Sequence, residues 1–501
     1  MAKLDKLRQQ IDQIDSSIMK LLEERFDLTN KIGKEKLKDK VEITNKDREE
    51  EIISKTYEFK YQKQIENIYQ NIFQISKNMQ KLNSYLLIKD SSYSYSPLIH
   101  ALLGNEYYQC LEGVSFEQFV TDESFHFKGV NITNPYKHDA YLYCLNNNIE
   151  LDSSVKNTEV VNFVLNDGTN LKAFNTDYQG FKALLENYNI DLNNKHVLIL
   201  GNGSTSKTVK AVCNEYTYAK LNVAVRTIKD PSEIYLHDIN KLQKIDIIIN
   251  TTSYGVAPYL ELDPLIDLSP FNPEIIIDVN YNPSRSSLAI AYPNIKYING
   301  LFMLVEQARI SEELIQGKEI DNSNTKDIVN KIALSTTNIS LIGMPFSGKT
   351  TIGQKLSAKL GKSFFDSDII LKEENLSLAK LLSQGFTLED YRAYESSVIE
   401  TLATTPSSVI STGGGVIENL DNIFFLKQKG PVIFLDTPFD ILKTRISNNR
   451  PLVKNEKDLL KLYERRYNNY LEHADIVIKC DSDIDTIISL LEVKIHEYFN
   501  N

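Results

Sequence analysis

Residues 339–351 read ISLIGMPFSGKTT, in which an apolar run passes directly into glycines, a lysine and two threonines. The spacing GxxxxGK[ST] between a strand-like run and a helical run is typical of a phosphate-binding loop. Its backbone amides surround the phosphate oxygens, Lys349 neutralises their charge and Thr350 holds Mg²⁺. The pattern therefore predicts an α/β domain that binds ATP and Mg²⁺. The candidate nucleotide-contacting residues are Gly343, Ser347, Gly348, Lys349, Thr350 and Thr351.

Downstream of this loop lie groups suited to a small carboxylate substrate. FFDSD (364–368) contains two aspartates at the end of a strand-like run. Two separated arginines, Arg392 and Arg466, and the triple glycine at 413–415 could hold a carboxylate and hydroxyls through guanidinium forks and backbone amides. Taken alone, each arginine is better explained as a surface residue, so only the whole set favours a substrate site.

Upstream, residues 196–216 read HVLILGNGSTSKTVKAVCNEY, a strand, a glycine-rich turn and a helix. Such a turn lets the backbone approach a pyrophosphate at the amino terminus of the helix, as in dinucleotide binding. The fingerprint is incomplete, because Ser206 stands at its third glycine position. Arg226 follows the next strand, where an acidic residue would bind a ribose hydroxyl, and this favours NADP over NAD. Further buried parallel strands are predicted by the apolar runs at 221–225, 245–249 and 274–279.

The same middle part contains groups for acid–base chemistry. Lys137 ends the stretch NITNPYK, and Asp177 lies in FNTDYQG. A lysine and an aspartate brought together beside a carbonyl can move a proton while a nicotinamide supplies hydride. Taken singly, either residue is far more commonly a solvated surface group. SYSP (94–97) offers two further hydroxyls.

The first 83 residues contain no proline and one glycine, which predicts helices with few tight turns. Apolar residues from Leu4 to Ile32, and again from Ile65 to Leu82, follow the three-and-four spacing of an amphipathic helix. A shorter helix is expected around 45–58. Stripes this narrow bury too little surface for independent stability, so pairing with another chain is predicted.

Polar residues interrupt these stripes. Arg25 stands where a hydrophobic residue is expected, and Lys36, about three helical turns further on, shares its face. A buried guanidinium is costly unless an anion pairs with it. A pocket for a small anion could be completed by Arg48, Glu49, Ser76 and Gln80. Spacing alone leaves open a plain ion pair between helices.

Composition narrows the classes of function. A chain of 501 residues is expected to form several domains, and its net charge of −11 argues against a general nucleic-acid binder. The four cysteines form no CxxC pair, which favours a reducing compartment over a disulfide framework or a zinc site. The charged start MAKLDKLRQQIDQ predicts no signal peptide, and no apolar run approaches the roughly 18 residues that span a membrane. We therefore expect a cytoplasmic protein that acts on small molecules.

Residues 338–500 resemble shikimate kinase, through the phosphate loop together with FFDSD, YRAYE, STGGGV, NNRPLV and ERRYNNY. The resemblance implies that Asp368 binds the reacting hydroxyl as base and that Asp366 lies near the Mg²⁺. Arg450, in a mobile lid, would stabilise charge on the transferred phosphoryl group. Shikimate would be held by Arg392, Gly413, Gly414, Gly415 and Arg466.

Residues 85–317 resemble shikimate dehydrogenase, through SYSP, NITNPYK, FNTD, GNGSTS, VRT and INTTSYG in that order. The resemblance implies that Lys137 and Asp177 are the catalytic pair. The implied substrate contacts are Ser94, Ser96, Thr133, Asn162, Tyr281 and Gln307. The implied NADP contacts are Gly201, Gly203, Ser204, Arg226 and Thr227.

Residues 3–82 resemble the all-helical chorismate mutases, through LDKLRQQIDQID, LLEERFDL, IGKEK, NKDREEEI and ISKNMQ. The resemblance implies an intertwined homodimer in which Arg8 reaches into the site of the partner subunit. Lys36 and Gln80 would face the ether oxygen, where negative charge builds as the bond breaks. The remaining substrate contacts would be Arg25, Arg48, Glu49 and Ser76.

Together these resemblances imply a multidomain enzyme of aromatic amino-acid biosynthesis. Its expected parts are an all-α three-helix chorismate mutase (1–83), an α/β shikimate dehydrogenase (84–320, Rossmann part about 190–300) and an α/β phosphate-loop shikimate kinase (337–501). The polar stretch 321–336 is predicted to be a linker. Two alternatives stay open: the helices could be a regulatory module that senses chorismate or prephenate, or the altered dehydrogenase loops could mark a silent scaffold.

Overall fold

The computed structural model describes residues 2–38, 41, 44–79, 83–105, 107–122, 125–447 and 451–500. A group of amino-terminal helices precedes three β-sheets, each flanked by helices. Within the described residues, no helix is both long and apolar enough to cross a membrane.

The amino-terminal part consists of α1 (Ala2–Lys38), α2 (Lys46–Ser54), a 3-10 turn (Lys55–Glu58) and α3 (Gln62–Met79), as the sequence predicts. Asn45 caps α2, because its side chain accepts a hydrogen bond from the Arg48 amide at 3.0 Å. The apolar stripe of α1 lies largely open to solvent, with Ile11 56% exposed. Over the described residues from 2 to 79, Phe73 is the one hydrophobic side chain that is buried. These helices therefore present an apolar face that the rest of the described residues does not cover.

The first sheet is mixed and has the strand order β2-β1-β3-β5-β6-β4. β1 runs parallel to β2 and β3, whereas β5 is antiparallel to both β3 and β6. Its strands are β1 (Asn83–Ile88), β2 (Tyr108–Glu112), β3 (Phe127–Ile132), β4 (Glu150–Leu151), β5 (Phe163–Asn166) and β6 (Leu171–Phe174). Its helices are α4 (Ser96–Leu102), α5 (Phe116–Thr121), α6 (Lys137–Asn146) and α7 (Ser153–Thr158).

The second sheet is entirely parallel and confirms the predicted Rossmann arrangement. Its order β12-β11-β10-β7-β8-β9 places the switch between β7 and β10, where dinucleotides bind in doubly wound folds. Its strands are β7 (His196–Leu200), β8 (Lys220–Val225), β9 (Glu233–Tyr235), β10 (Ile247–Asn250), β11 (Ile275–Asp278) and β12 (Lys296–Asn299). Its helices are α8 (Thr176–Asn187), α9 (Ser204–Cys213), α10 (Ser287–Ala291) and α11 (Leu301–Gln316), with a 3-10 turn at Leu236–Lys241.

The predicted linker at 321–336 is wrong, because most of it forms α12 (Asn324–Thr336). Ile328 and Ile332 are one helical turn apart, and both are buried against the dehydrogenase-like part beside α4 and α11. Leu334, on the same helix, packs against the core of the third sheet. The stretch is polar because the other faces of this helix are exposed to solvent. A packed helix therefore could not be recognised from its composition.

The third sheet is also parallel, with the order β14-β15-β13-β16-β17. Its strands are β13 (Ile339–Ile342), β14 (Ser363–Asp366), β15 (Ser408–Ser411), β16 (Val432–Asp436) and β17 (Ile476–Lys479). Its helices are α13 (Lys349–Leu360), α14 (Ser367–Glu373), α15 (Leu378–Ser383), α16 (Leu388–Thr404), α17 (Leu420–Lys429), α18 (Phe439–Thr444), α19 (Glu456–His473) and α20 (Ile484–Asn500), with a 3-10 turn at Val416–Glu418.

Arg285 joins the second and third sheets. Its guanidinium donates to both carboxylate oxygens of Asp475 at 2.8 and 2.9 Å, and to the carbonyls of Lys427 and Gly430. The guanidinium also lies over the ring of Tyr498, 5.9 Å from its centroid. Asp475 is largely buried and also accepts from the Val432 amide at 2.8 Å, so neither charge is left without hydrogen bonds.

We predict that Arg285→Ala lowers the thermal midpoint of the unit formed by these two sheets by several degrees. Removing Arg285 leaves the largely buried Asp475 carboxylate with only the more distant Lys427 ammonium, at 3.7 Å, as a cation, at a cost of about 3 kcal/mol. Thermal unfolding followed by circular dichroism measures the change. Lys241→Ala, which breaks an exposed pair with Asp238, is the control and should shift the midpoint little. Equal midpoints for the Arg285 variant and the native chain would contradict the prediction.

Candidate active sites

Lys137 and Asp177, which come from helices α6 and α8, meet in the structure. The Lys137 ammonium donates to an Asp177 carboxylate oxygen at 2.6 Å, and both residues are buried. Lys137 begins α6 shortly after β3 ends, and Asp177 lies in the first turn of α8. Burial of two charges is tolerated when they pair, and such a pair can exchange a proton with a ligand. Two residues 40 positions apart in the sequence thus form one acid–base unit.

Thr176, which the sequence analysis did not single out, connects several of the predicted substrate residues. Its amide donates to the Asn162 side-chain oxygen at 2.7 Å, and its hydroxyl donates to Gln307 at 3.3 Å. Asn162 returns a hydrogen bond to the Thr176 hydroxyl at 3.0 Å. Because Thr176 precedes Asp177, this network fixes the backbone that carries the carboxylate.

The other residues predicted to bind this substrate include Ser94, Ser96, Thr133 and Tyr281. The Ser94 hydroxyl accepts from the Ser96 amide at 3.3 Å, and the Thr133 hydroxyl donates to the Leu87 carbonyl at 3.1 Å. The Tyr281 ring lies 5.1 Å from that of Tyr95, and its hydroxyl interacts with Ser94. Burial, together with Tyr95, raises the pKa of Tyr281 to about 12, so its hydroxyl keeps its proton at neutral pH.

The glycine-rich turn after β7 approaches the loop after β10 closely. Gly201 has φ +101°, and a Cβ there would lie 3.0 Å from the Thr251 hydroxyl. Gly203 precedes α9, whose first residue is Ser204. Ser206 donates to the Gly201 carbonyl at 2.6 Å, which explains how a serine is accommodated at the third glycine position. A Cβ on Gly203 would meet nothing within 4 Å, so the turn offers free space at that position, next to the helix amides, for a pyrophosphate.

The loop after β8 holds Arg226 and Thr227, both exposed. Asn202 donates to the Thr227 carbonyl and to the Glu233 carboxylate, each at 3.2 Å. Glu233, which the sequence analysis missed, also accepts from the Lys229 amide at 2.6 Å. These bonds fix the loop that carries Arg226 beside the glycine-rich turn.

The phosphate loop after β13 is held by its own residues. The Lys349 ammonium donates to the carbonyls of Gly343 and Met344 at 2.9 and 3.0 Å. The Thr350 hydroxyl donates to Asp366 at 2.6 Å, and the other oxygen of that carboxylate caps α14. A cavity of about 370 Å³ opens here. Its lining includes Ser347, Gly348, Lys349, Thr350, Thr351, Asp366 and Asp368, and also Arg445, which the sequence analysis missed.

The triple glycine after β15 makes room for charged side chains. A Cβ on Gly413 would lie 2.6 Å from a Glu395 carboxylate oxygen and 2.7 Å from one of Asp368. On Gly415 it would lie only 1.9 Å from the Arg392 guanidinium. The hydroxyl of Tyr391 donates to Asp368 at 3.3 Å. Glycine is thus required here, because a Cβ atom would clash with the acidic and basic side chains that lie against the backbone.

Arg392 and Arg466 converge on Glu418, which the sequence analysis also missed. Arg392 donates to Glu418 at 2.5 Å and to the fully buried Glu395 at 2.7 Å. Arg466 donates to Glu418 at 3.1 Å and to the Gly414 carbonyl at 2.8 Å, and Arg465 also contacts this glutamate. Burial opposes ionisation of Glu418, but Arg466 and Arg392 outweigh it and lower its pKa. A carboxylate therefore already lies between the two arginines predicted to bind one.

The anion pocket predicted in the amino-terminal helices is only partly assembled among the described residues. Arg25 donates to the Ser76 hydroxyl at 2.6 Å, which brings two predicted ligands together. Arg48 instead pairs with Glu51 on its own helix, and Glu49 lies 3.2 Å from Lys77. Arg8 lies exposed on α1 and Lys36 is half-buried near its end. The predicted Gln80, and Arg450 of the kinase-like part, lie outside the described residues.

Comparison with known families matches each part. The family model "Shikimate kinase" matches residues 345–493, and "Chorismate mutase type II" matches residues 7–81. A shikimate kinase of Clostridium botulinum is 38% identical over 154 residues, covering 30% of this chain and 92% of the relative. A shikimate dehydrogenase (NADP(+)) of Caldicellulosiruptor saccharolyticus is 32% identical over 263 residues, covering 47% of this chain and 92% of the relative. The chain belongs to the shikimate kinase and shikimate dehydrogenase families, and its amino-terminal helices match the chorismate mutase type II model.

It is a fusion of a chorismate mutase, a shikimate dehydrogenase and a shikimate kinase domain, and hence an enzyme of the shikimate pathway. A solved structure described as a chorismate mutase/shikimate 5-dehydrogenase fusion protein from Clostridium acetobutylicum is 24% identical. That comparison covers 50% of this chain and 97% of the other, with a TM-score of 0.46.

Proposed function

We propose that the chain converts chorismate to prephenate, reduces 3-dehydroshikimate to shikimate with NADPH, and phosphorylates shikimate with ATP and Mg²⁺. The domains would span residues 1–83, 84–320 and 337–501, with α12 packed between the last two. The observation that carries the proposal is the buried pair of Lys137 and Asp177 at 2.6 Å, in a domain homologous to shikimate dehydrogenases.

In the dehydrogenase, Lys137 would donate a proton to the carbonyl oxygen of 3-dehydroshikimate as that oxygen becomes a hydroxyl. Asp177 holds the ammonium in place through its bond of 2.6 Å. Bound NADPH would supply the hydride that reaches the carbonyl carbon. Ser94, Ser96 and Tyr281 offer hydroxyls to the substrate carboxylate. Its ring hydroxyls would be bound by Thr133, Asn162 and Gln307.

The glycine-rich turn fits a dinucleotide. The open space at Gly203 and the amides that begin at Ser204 suit a pyrophosphate, and the tight turn at Gly201 admits no side chain. Arg226 and Thr227, fixed through Asn202, suit the 2′-phosphate of NADP.

In the kinase, Asp368 would accept the proton of the shikimate hydroxyl that attacks the phosphoryl group. Its position between Tyr391 and Gly413, at the edge of the 370 Å³ cavity, supports this role. Gly343, Ser347, Gly348, Lys349 and Thr351 would surround the phosphates of ATP. Thr350 and Asp366 would hold Mg²⁺, which neutralises phosphate charge when bound. Arg450 would stabilise the transferred group from the lid.

Arg392 and Arg466 would bind the carboxylate of shikimate, and Gly413, Gly414 and Gly415 would contact its hydroxyls. We infer that the substrate carboxylate takes the place that Glu418 holds between these arginines. Glu395 keeps Arg392 oriented in either case, because its own bond at 2.7 Å does not depend on Glu418.

The helical domain would bind chorismate through Arg25, Arg48, Glu49 and Ser76, with Lys36 and Gln80 at the ether oxygen. The exposed stripe of α1 supports a homodimer, in which Arg8 reaches the partner subunit's site. We also propose a cytoplasmic location, with small-molecule ligands and neither nucleic acid nor membrane as partner. The unpaired state of all four cysteines, which lie within the described residues, suits a reducing compartment.

We predict that Lys137→Met lowers NADP reduction with shikimate by at least about 10²-fold, because the proton-transfer group is lost. Absorbance at the wavelength of NADPH measures the rate. Shikimate kinase activity of the same preparation is the control for folding and should be retained. Unchanged dehydrogenase kinetics would contradict the proton-transfer role of Lys137 and indicate that another group transfers the proton.

We predict that Glu418→Gln lowers the KM of the kinase for shikimate about threefold to tenfold, because an internal carboxylate no longer competes for the arginines. Steady-state kinetics at saturating ATP measure the effect. Glu464→Gln, an exposed glutamate on α19, is the matched control and should leave KM unchanged. A raised KM would show that Glu418 orients the arginines instead of occupying the carboxylate position.

We predict that the purified chain converts chorismate to prephenate and that Arg25→Ala abolishes this turnover, because a carboxylate ligand of the pocket is removed. Loss of chorismate absorbance measures the reaction. Chorismate binding without turnover in the native chain would instead indicate a regulatory helical domain. A solution mass corresponding to one chain would contradict the proposed dimer.

A further inference from the structure

The loop at 279–286, which follows β11, touches both α/β domains. It carries Tyr281 of the proposed dehydrogenase site and Arg285 of the interdomain ion pair. Asn282 lies between them and is buried. Three residues thus separate a substrate contact of one domain from the principal anchor to the other.

On the dehydrogenase side, Asn282 is bonded to two other loops. Its side-chain amide donates to the Tyr93 carbonyl at 3.4 Å, directly before Ser94. Its own carbonyl accepts from the Ala257 amide at 3.1 Å, in the loop that follows β10. Any shift of Asn282 would therefore displace neighbouring Tyr281. It would also displace the segment that carries the Ser94 and Ser96 hydroxyls, which are proposed to bind the substrate.

On the kinase side, Asn282 accepts a hydrogen bond from the Lys429 ammonium at 2.6 Å. Lys429 is the last residue of α17 and is only 3% exposed. Burial lowers the pKa of this lysine to about 8. A buried amine costs free energy unless a partner compensates for its lost hydration, and Asn282 is that partner.

Neighbouring bonds fix Lys429 relative to the dehydrogenase domain. The Gln428 carbonyl accepts from the Ser284 hydroxyl at 3.0 Å and from the Arg285 amide at 3.1 Å. The Gln428 side chain donates to the Glu261 carbonyl at 2.6 Å. The end of α17 is therefore held on both sides of Lys429, so its ammonium has little freedom to leave Asn282.

We propose that the kinase domain completes the dehydrogenase substrate site, with Lys429 as a positioning residue that holds Asn282 and, through it, Tyr281 and Ser94. This inference rests on the proposed dehydrogenase function for the role of Tyr281 and Ser94. Lys429 touches neither substrate nor cofactor. It acts through Asn282, so its loss should weaken substrate binding more than the chemical step.

The test compares Lys429→Met with Lys362→Met in the intact chain. Lys362 is the matched control: it is also a buried kinase-domain lysine, burial also lowers its pKa to about 8, and it donates to the Thr337 carbonyl at 2.8 Å. Both substitutions remove a buried amine while keeping most of the side-chain volume. Only Lys429→Met removes the bond to Asn282.

Two readouts are needed. Amide hydrogen exchange, followed by mass spectrometry of peptides covering 90–97 and 279–286, reports loop order whether or not the chain is active. The KM and kcat of NADP reduction with shikimate report the site itself. We expect faster exchange in both peptides and a KM raised about fivefold to tenfold with kcat changed less than about twofold, for Lys429→Met alone. The kinase KM for shikimate should stay unchanged.

Unchanged exchange in both peptides would overturn the inference. Equal changes in the Lys429 and Lys362 variants would also overturn it, since they would indicate general destabilisation of the kinase domain. A native chain that shows no NADP reduction would refute the proposed dehydrogenase function instead, and the exchange data would still decide whether Lys429 orders the loop.

Discussion

The arrangement of the two α/β domains depends on one largely buried ion pair, that of Arg285 and Asp475. A guanidinium removed from water must find acceptors for its hydrogens, and here a carboxylate and two backbone carbonyls supply them. The acceptors come from the carboxyl end of α17 and the turn that leads into β16 and β17. This constraint sets the dehydrogenase loop at 279–286 against the kinase domain, and α12 packs alongside as a second connection.

Both α/β domains place their chemistry where parallel strands end. Lys137 follows β3, Gly201 follows β7, the phosphate loop follows β13 and Gly413 follows β15. Backbone at these edges can approach a ligand only where a side chain would not intervene, so glycine recurs there. The charged groups that fill the remaining space are paired with one another, which keeps them oriented at limited energetic cost.

Much of this could be predicted from sequence because it is encoded locally. The phosphate loop, the buried parallel strands and the amphipathic helices each occupy one short stretch with a distinct spacing. Lys137 and Asp177 could be paired only by family resemblance, since nothing local links them. α12 was missed because two buried isoleucines are hidden in polar sequence. Glu418 and Lys429 give no local signal at all, since their roles arise from partners between 26 and 147 positions away.

We propose that one chain performs consecutive reduction and phosphorylation at the sites described. The most direct measurement supplies the purified chain with 3-dehydroshikimate, NADPH, ATP and Mg²⁺, and follows both cofactors and the products by chromatography. We expect NADPH and ATP to be consumed in equal amounts once shikimate reaches its steady level, and shikimate 3-phosphate to accumulate. Consumption of NADPH with unphosphorylated shikimate as the only product, or no consumption of NADPH, would contradict it.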